Sequence, residues 1–125
     1  MRSTVRTEQA PAAIGPYSQA ILAHDTLYCS GQIAIDPESG ALVTSSIEAE
    51  TEMVLKNLGA VLRSVQMDYE DVVRCAVYLT DMNDYAVVNE VYARYFSEDP
   101  PARETVAVQA LPRGARVEIS CIAVR

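Results

Sequence analysis

The sequence predicts an α+β domain, with about six strands in a mixed sheet and two helices packed on one face. Three observations lead there. Two segments, near residues 47–65 and 85–96, carry apolar residues at helical spacing, whereas six or so shorter segments are rich in β-branched residues and read as strands. The helices do not alternate strictly with the strands, because several strands precede the first helix and a pair follows the second, so a doubly wound parallel sheet is not the expectation. Two helices are also too few to cover both faces of a six-stranded sheet. A length of 125 residues suits one domain, residues 1–125.

The elements follow in order. Thr4 to Thr7 can form a short strand. Ala10 to Pro16 is a loop in which Pro11 and Pro16 fix φ and Gly15 permits a positive one. Tyr17 to Leu22 is extended, His24-Asp25 turns, and Leu27 to Ile35 resumes as a strand. Asp36, Pro37, Glu38, Ser39 and Gly40 make a strong turn signal. Ser45 and Glu48 have capping-box spacing at the start of a helix with Ile47, Met53, Val54, Leu55, Leu58, Val61, Leu62 and Val65 along one apolar face. Val72 to Leu79 is a strand. Asp81 or Asn83 can cap a second helix from about Tyr85 to Phe96, with Tyr85, Val88, Tyr92 and Phe96 in one stripe. Pro100 and Pro101 stop it. Thr105 to Leu111 and Arg116 to Val124 are the closing strands, and residues 111–115 read as the hairpin turn between them.

The last strand is apolar on both sides. Val117, Ile119, Cys121 and Ala123 point one way, and Glu118, Ser120, Ile122 and Val124 the other. A sheet face open to water alternates more cleanly. The expectation is therefore a homo-oligomer in which another copy covers the second face and Glu118 lies near a subunit seam.

Composition narrows the function classes. Ten basic and seventeen acidic residues give a net charge of −7, and Lys56 is the sole lysine, so a nucleic-acid partner is disfavoured. No apolar run reaches the roughly 20 residues of a membrane span, and the N-terminus lacks an apolar leader, so neither a membrane nor a secreted location is expected and the cytoplasm is. Cys29, Cys75 and Cys121 are widely spaced in strand-like runs with no CxxC or Cys/His cluster, which reads as buried thiols rather than a metal or dithiol site. GxSxG, GxGxxG and phosphate-loop motifs are missing, so no metal and no cofactor are expected.

Two residues carry the chemistry. Arg103 follows the stiff Pro100-Pro101 step and offers a planar fork to a carboxylate; a surface ion pair is the competing assignment. Glu118 sits among Val117, Ile119, Cys121 and Ile122, where a carboxylate is costly to bury; it reads as an acid/base with its proton affinity raised, or equally as a partner for Arg113 or Arg116. Tyr17, Ser30, Gly31 and Asn89 are polar or bare positions that can meet a ligand, and each has an ordinary structural alternative. An anion clamp with a desolvated acid/base suggests proton transfer on a small carboxylate-bearing substrate.

Ala10-Pro11-Ala12-Ala13-Ile14-Gly15-Pro16-Tyr17-Ser18-Gln19-Ala20 resembles the N-terminal motif of the RidA/YjgF-type reactive intermediate deaminases. Ser30-Gly31-Gln32-Ile33 is similar to the second motif, and Asp81-Met82, Asn89, Tyr92 and Tyr95-Phe96 to the middle one. Pro101-Ala102-Arg103, Leu111-Pro112, Val117-Glu118-Ile119 and Ile122-Ala123-Val124 resemble the C-terminal signature. The resemblance spans nearly the whole chain. It implies a chorismate-mutase-like fold, a homotrimer with sites between subunits, and hydrolysis of enamines and imines, such as 2-aminoacrylate, to 2-keto acids and ammonia. It implies further that Arg103 clamps the carboxylate, that Glu118 orients and deprotonates water, and that Tyr17, Ser30, Asn89 and the Gly31 amide line the site. Thr105 stands where such proteins often carry cysteine, which leaves a hydroxyl and the same backbone amide beside the ligand. An iminium carbon is already electrophilic, so positioned water and one base are sufficient chemistry. A non-catalytic trimer that binds a small carboxylate metabolite is the alternative, and a ribonuclease is disfavoured by the acidic charge and the lack of a histidine base.

Overall fold

The computed structural model describes residues 1–125. The strands are β1 (Arg2–Val5), β2 (Ala20–Ala23), β3 (Thr26–Gln32), β4 (Val72–Leu79), β5 (Ala102–Ala107) and β6 (Val117–Val124); the helices are α1 (Ile47–Arg63) and α2 (Tyr85–Tyr95). They form one six-stranded mixed sheet in the order β1-β2-β3-β6-β4-β5. Only the β4–β5 pair is parallel, and α2 makes the crossover between them.

The closing hairpin expected between residues 105–111 and 116–124 does not form. β5 pairs with β4, and β6 inserts between β3 and β4. Residues 108–116 instead cross the end of β4, tied by Val108 N–H to the Leu79 carbonyl at 2.8 Å and Thr80 N–H to the Arg116 carbonyl at 3.2 Å. The reason lies in β6 itself. A strand apolar on both sides is stabilised most in the middle of a sheet, where both edges are paired.

Both helices pack on the side of the sheet that carries Leu27, Cys29, Cys75, Val77, Leu79, Val117, Ile119, Cys121 and Ala123, all of them buried. Val54, Leu55, Leu58, Val61 and Leu62 complete this core from α1, and Val88, Val91 and Tyr92 do so from α2. The opposite side of the sheet carries no helix. It shows Tyr28 at 50% exposure, and Val106 and Val124 are also exposed.

Several boundaries shift from expectation. The helix cap is Ser46, not Ser45: its side chain accepts from Ala49 N–H at 3.0 Å, so Glu48 falls in the first turn, facing the helix dipole rather than closing a capping box. β1 starts two residues earlier than predicted, and β2 and β3 are shorter. Asp81 caps a short 3₁₀ turn, Met82–Asp84, that leads into α2. Asn57 on α1 reaches out of the helix to donate to the carbonyls of Ile33 (3.2 Å) and Ile35 (2.9 Å), and so anchors the segment that continues β3 towards the open face.

Candidate functional site

Two half-built sites lie on opposite faces of the sheet. The first surrounds Glu118. Its register opposite Tyr78 places it on the helix-free face, where a cavity of about 220 Å³ is lined by Tyr17, Gly31, Ile33, Ile35, Pro112 and Glu118, among others. β3 breaks register between Cys29 and Gln32, and this irregularity brings Gly31 against the Glu118 side chain. A Cβ at position 31 would overlap the Glu118 carboxylate and push it aside, so the glycine leaves room for that side chain where it stands, and no positive φ is involved.

Glu118 makes no ion pair. Both arginines that could have neutralised it are engaged elsewhere. Arg116 binds Glu50 through Nε at 2.8 Å and donates to the Thr44 carbonyl at 3.2 Å, whereas Arg113 donates to the Gly40 carbonyl at 3.3 Å. Left without a counter-ion, Glu118 has its carboxyl pushed above the usual carboxylate range by desolvation.

The loop above this cavity is held by Gln19. Its buried amide accepts from Thr7 N–H at 2.7 Å and donates to the carbonyls of Thr7 (3.0 Å), Ala10 (3.3 Å) and Pro11 (2.7 Å). Every bond this amide makes goes to one loop, which fixes the approach to Tyr17. Tyr17 is 54% exposed, and its hydroxyl accepts from Ile14 N–H at 3.3 Å. Ser30 points its hydroxyl at the Ser18 carbonyl, 2.5 Å away, so it joins β3 to the same loop rather than lining the cavity wall.

The second half-site surrounds Arg103, opposite Cys75 on the helix side of edge strand β5. It belongs to no ion pair. Its guanidinium rests over the Tyr92 ring, 4.8 Å from the centroid, with the Tyr85 ring at 5.7 Å. One Nη2–H donates to the Tyr85 hydroxyl at 3.1 Å. Asn89, one turn along α2, is the main neighbour lowering the ionisation of that hydroxyl, ahead of Arg103. Two residues along β5, the Thr105 hydroxyl is buried and has no partner. The Tyr92 hydroxyl is buried beside the Cys75 thiol with no hydrogen bond of acceptable geometry, and burial pushes that thiol up to about 11.

Within one protomer, then, Tyr17, Gly31 and Glu118 come together, and so do Asn89, Arg103 and Thr105, but the two sets do not meet. His24 is exposed in the β2–β3 turn with φ 55, outside both. Sequence reasoning missed three contributors. Gln19 was read only as part of a motif. Tyr85 was assigned to the apolar stripe of α2, although it is 38% exposed and bonds Arg103. Glu50 carries no assignment from the sequence, yet it is fully buried and accepts from Arg116 N–H (2.7 Å), Arg116 Nε–H (2.8 Å) and Val117 N–H (3.3 Å). The available signal was its place on the apolar side of α1, one turn before Val54.

Comparison with known proteins adds four findings. A family model described as endoribonuclease L-PSP matches residues 7–125. The 2-iminobutanoate/2-iminopropanoate deaminase of Mus musculus is 50% identical over 125 residues, which cover 100% of this chain and 93% of the mouse protein. Among solved structures, YyfA of the Rid protein family from Yersinia pestis superposes with a TM-score of 0.97 at 47% identity over 100% of both chains. TdcF of E. coli, crystallised with bound serine, superposes with a TM-score of 0.95 at 33% identity over 98% of both.

Proposed function

This chain belongs to the endoribonuclease L-PSP family, which includes the RidA/YjgF proteins, and from that premise we propose that it is a hydrolytic deaminase of small enamines and imines. It converts species such as 2-aminoacrylate and 2-iminopropanoate to 2-keto acids and ammonia. The observation that carries the site assignment is a pair of unneutralised charges: Arg103 with an open fork on an edge strand, and Glu118 desolvated on the opposite face.

The two halves become one site when chains assemble. In this reading the substrate carboxylate lies in the Arg103 fork of one protomer, and Glu118 of a neighbour faces the imine carbon. Thr105, with its unpartnered hydroxyl, and Asn89 border the first half; Tyr17 and the Gly31 amide border the second, and Ser30 ties the Tyr17 loop to β3 behind them. A closed three-fold ring uses the helix-free face, with its exposed Tyr28, Val106 and Val124, and makes three equal sites. The serine held by TdcF is a carboxylate ligand of the proposed size.

The chemistry then needs one base. Glu118 takes a proton from water as the oxygen bonds to the imine carbon. The C=N electron pair moves to nitrogen, which takes the proton that Glu118 holds and gives the carbinolamine. Glu118 then accepts the hydroxyl proton as the ketone forms and the C–N bond breaks, and passes it to the departing nitrogen, which leaves as ammonia. A carboxyl whose proton affinity is raised by burial is a better proton acceptor than an exposed one and can return the proton in the next step. A cytoplasmic setting, where such imines are made by other enzymes, suits this activity.

The test uses subunit mixing. The wild-type protein releases ammonia from 2-iminopropanoate generated in situ faster than a buffer blank. R103A and E118Q, each nearly inactive alone, regain about a quarter of wild-type activity when denatured together at equal ratio and refolded, because every mixed three-fold ring then holds one intact Arg103–Glu118 pair. Ammonia release at the blank rate by the wild type would favour a non-catalytic binder of carboxylate metabolites. Activity in the wild type without recovery in the mixture would place both groups in one protomer's site.

A further inference from the structure

Arg103 is held in an unusual way for a surface cation. The other arginines with side-chain partners mostly use carboxylates, as in Arg74–Glu104 at 2.8 Å, Arg94–Glu48 at 3.0 Å and Arg116–Glu50 at 2.8 Å. Arg103 has two tyrosine rings and a phenol oxygen instead. The Tyr85 oxygen accepts from Arg103 Nη2–H. A phenol oxygen that accepts from the guanidinium has its own O–H turned away from it. Tyr85 is 38% exposed, so that proton is available at the surface where the guanidinium fork is open.

We propose that Tyr85 is a substrate-binding residue in its own right, whose hydroxyl donates a third hydrogen bond to the carboxylate gripped by Arg103. The proposal rests on the deaminase reading given above and adds to it a donor that the sequence had hidden in a helix stripe. The ring beneath keeps Arg103 from swinging to solvent, so one side chain both steadies the clamp and extends it.

Charge on the neighbours has a further consequence. Asn89, and next the Arg103 charge, hold Tyr85 ionisation below the usual tyrosine range. Two other groups of this half-site move the opposite way, Tyr92 of α2 and Cys75 of β4, both raised by burial, and Arg103 of β5 supplies the positive charge beside them; Asp84 precedes Tyr85 in the chain. On raising the pH, Tyr85 therefore loses its proton first, which removes a donor and sets a negative charge beside the bound carboxylate.

The experiment compares wild type and Y85F for pyruvate binding across pH, and for KM and kcat with 2-iminopropanoate. Phenylalanine keeps the ring under Arg103, and an unchanged thermal midpoint reports an intact fold. Y85F is expected to weaken pyruvate about tenfold, the loss of one hydrogen bond to a charged group, with the change falling on KM more than on kcat. Wild-type affinity should drop in an alkaline step that Y85F lacks, which a purely structural role for the ring would leave in place. Equal pyruvate affinity in the two proteins, or the same alkaline step in both, overturns the Tyr85 assignment while leaving the deaminase reading intact. Failure of the wild type to bind pyruvate overturns both.

Discussion

Two carboxylates sit at the entry to β6, and they have opposite surroundings. Glu50 reaches from α1 to the first residues of the strand, fully buried, and accepts three hydrogen bonds, one of them from the Arg116 guanidinium. Glu118 lies just beyond on the other face, with a glycine backbone against it, no counter-ion and a raised proton affinity. The first is saturated and its charge is spent on architecture, because it fixes the start of the strand that carries the second. The second is left unsaturated, which is what a proton carrier requires. The two arginines repeat the contrast: Arg116 is consumed by Glu50, and Arg103 is kept open by aromatic rings.

The largest effect expected from breaking this contrast is on rate. E118Q preserves shape and removes the base, so kcat should fall by about 10²–10⁴-fold, the usual yield of general acid–base catalysis, while pyruvate affinity stays within a few-fold of wild type. Single-turnover kinetics with binding measured in parallel checks this; a fully active E118Q would reassign the base. E50A should act on the other axis. It leaves the Arg116 and Val117 amides and a guanidinium without their acceptor, at a cost of about 3 kcal/mol. A shift of the urea midpoint at constant slope would measure it. An E50A protein as stable as wild type would show that water replaces the carboxylate there.

What the sequence made legible follows from the range of each interaction. The β4 span, the two amphipathic helices and the stop at Pro100 depend on neighbours within a few residues, and the structure has them within a residue or two. The partner of β6 does not depend on neighbours. A short loop with Pro112 and Gly114 reads as a hairpin, but the choice of β3 and β4 as flanking strands is made by burial of a strand apolar on both sides. The same holds for the site. Arg103 and Glu118 were visible as residue types out of place, one beside a rigid Pro-Pro step and one inside an apolar run. Their placement on opposite faces follows from the β4–β5 and β4–β6 registers, which local sequence does not encode. Glu50 was illegible for the converse reason: an acid in the first turn of a helix has an ordinary electrostatic explanation, and the donors that make it a core residue come from residues 116 and 117.

The smallest effect sharpens the comparison most, because it asks whether Glu118 is held against its own preference. Desolvation raises its folded proton affinity above that of the unfolded chain. The sign follows. Below the unfolded carboxylate range both states are protonated and the group is fully tolerated; as pH rises through the raised folded value the native state must ionise a desolvated group, and stability is lost. E118Q removes that cost, so the variant should be slightly more stable than wild type at neutral pH, with the difference vanishing towards pH 4. Glu118 is half-buried, which keeps the effect small. Thermal midpoints of the two proteins across that range decide the matter. A wild type more stable than E118Q at pH 7 would mean that Glu118 has a partner in the assembly that stabilises its charge, and the resemblance between the two carboxylates would then be closer than their surroundings within one chain suggest.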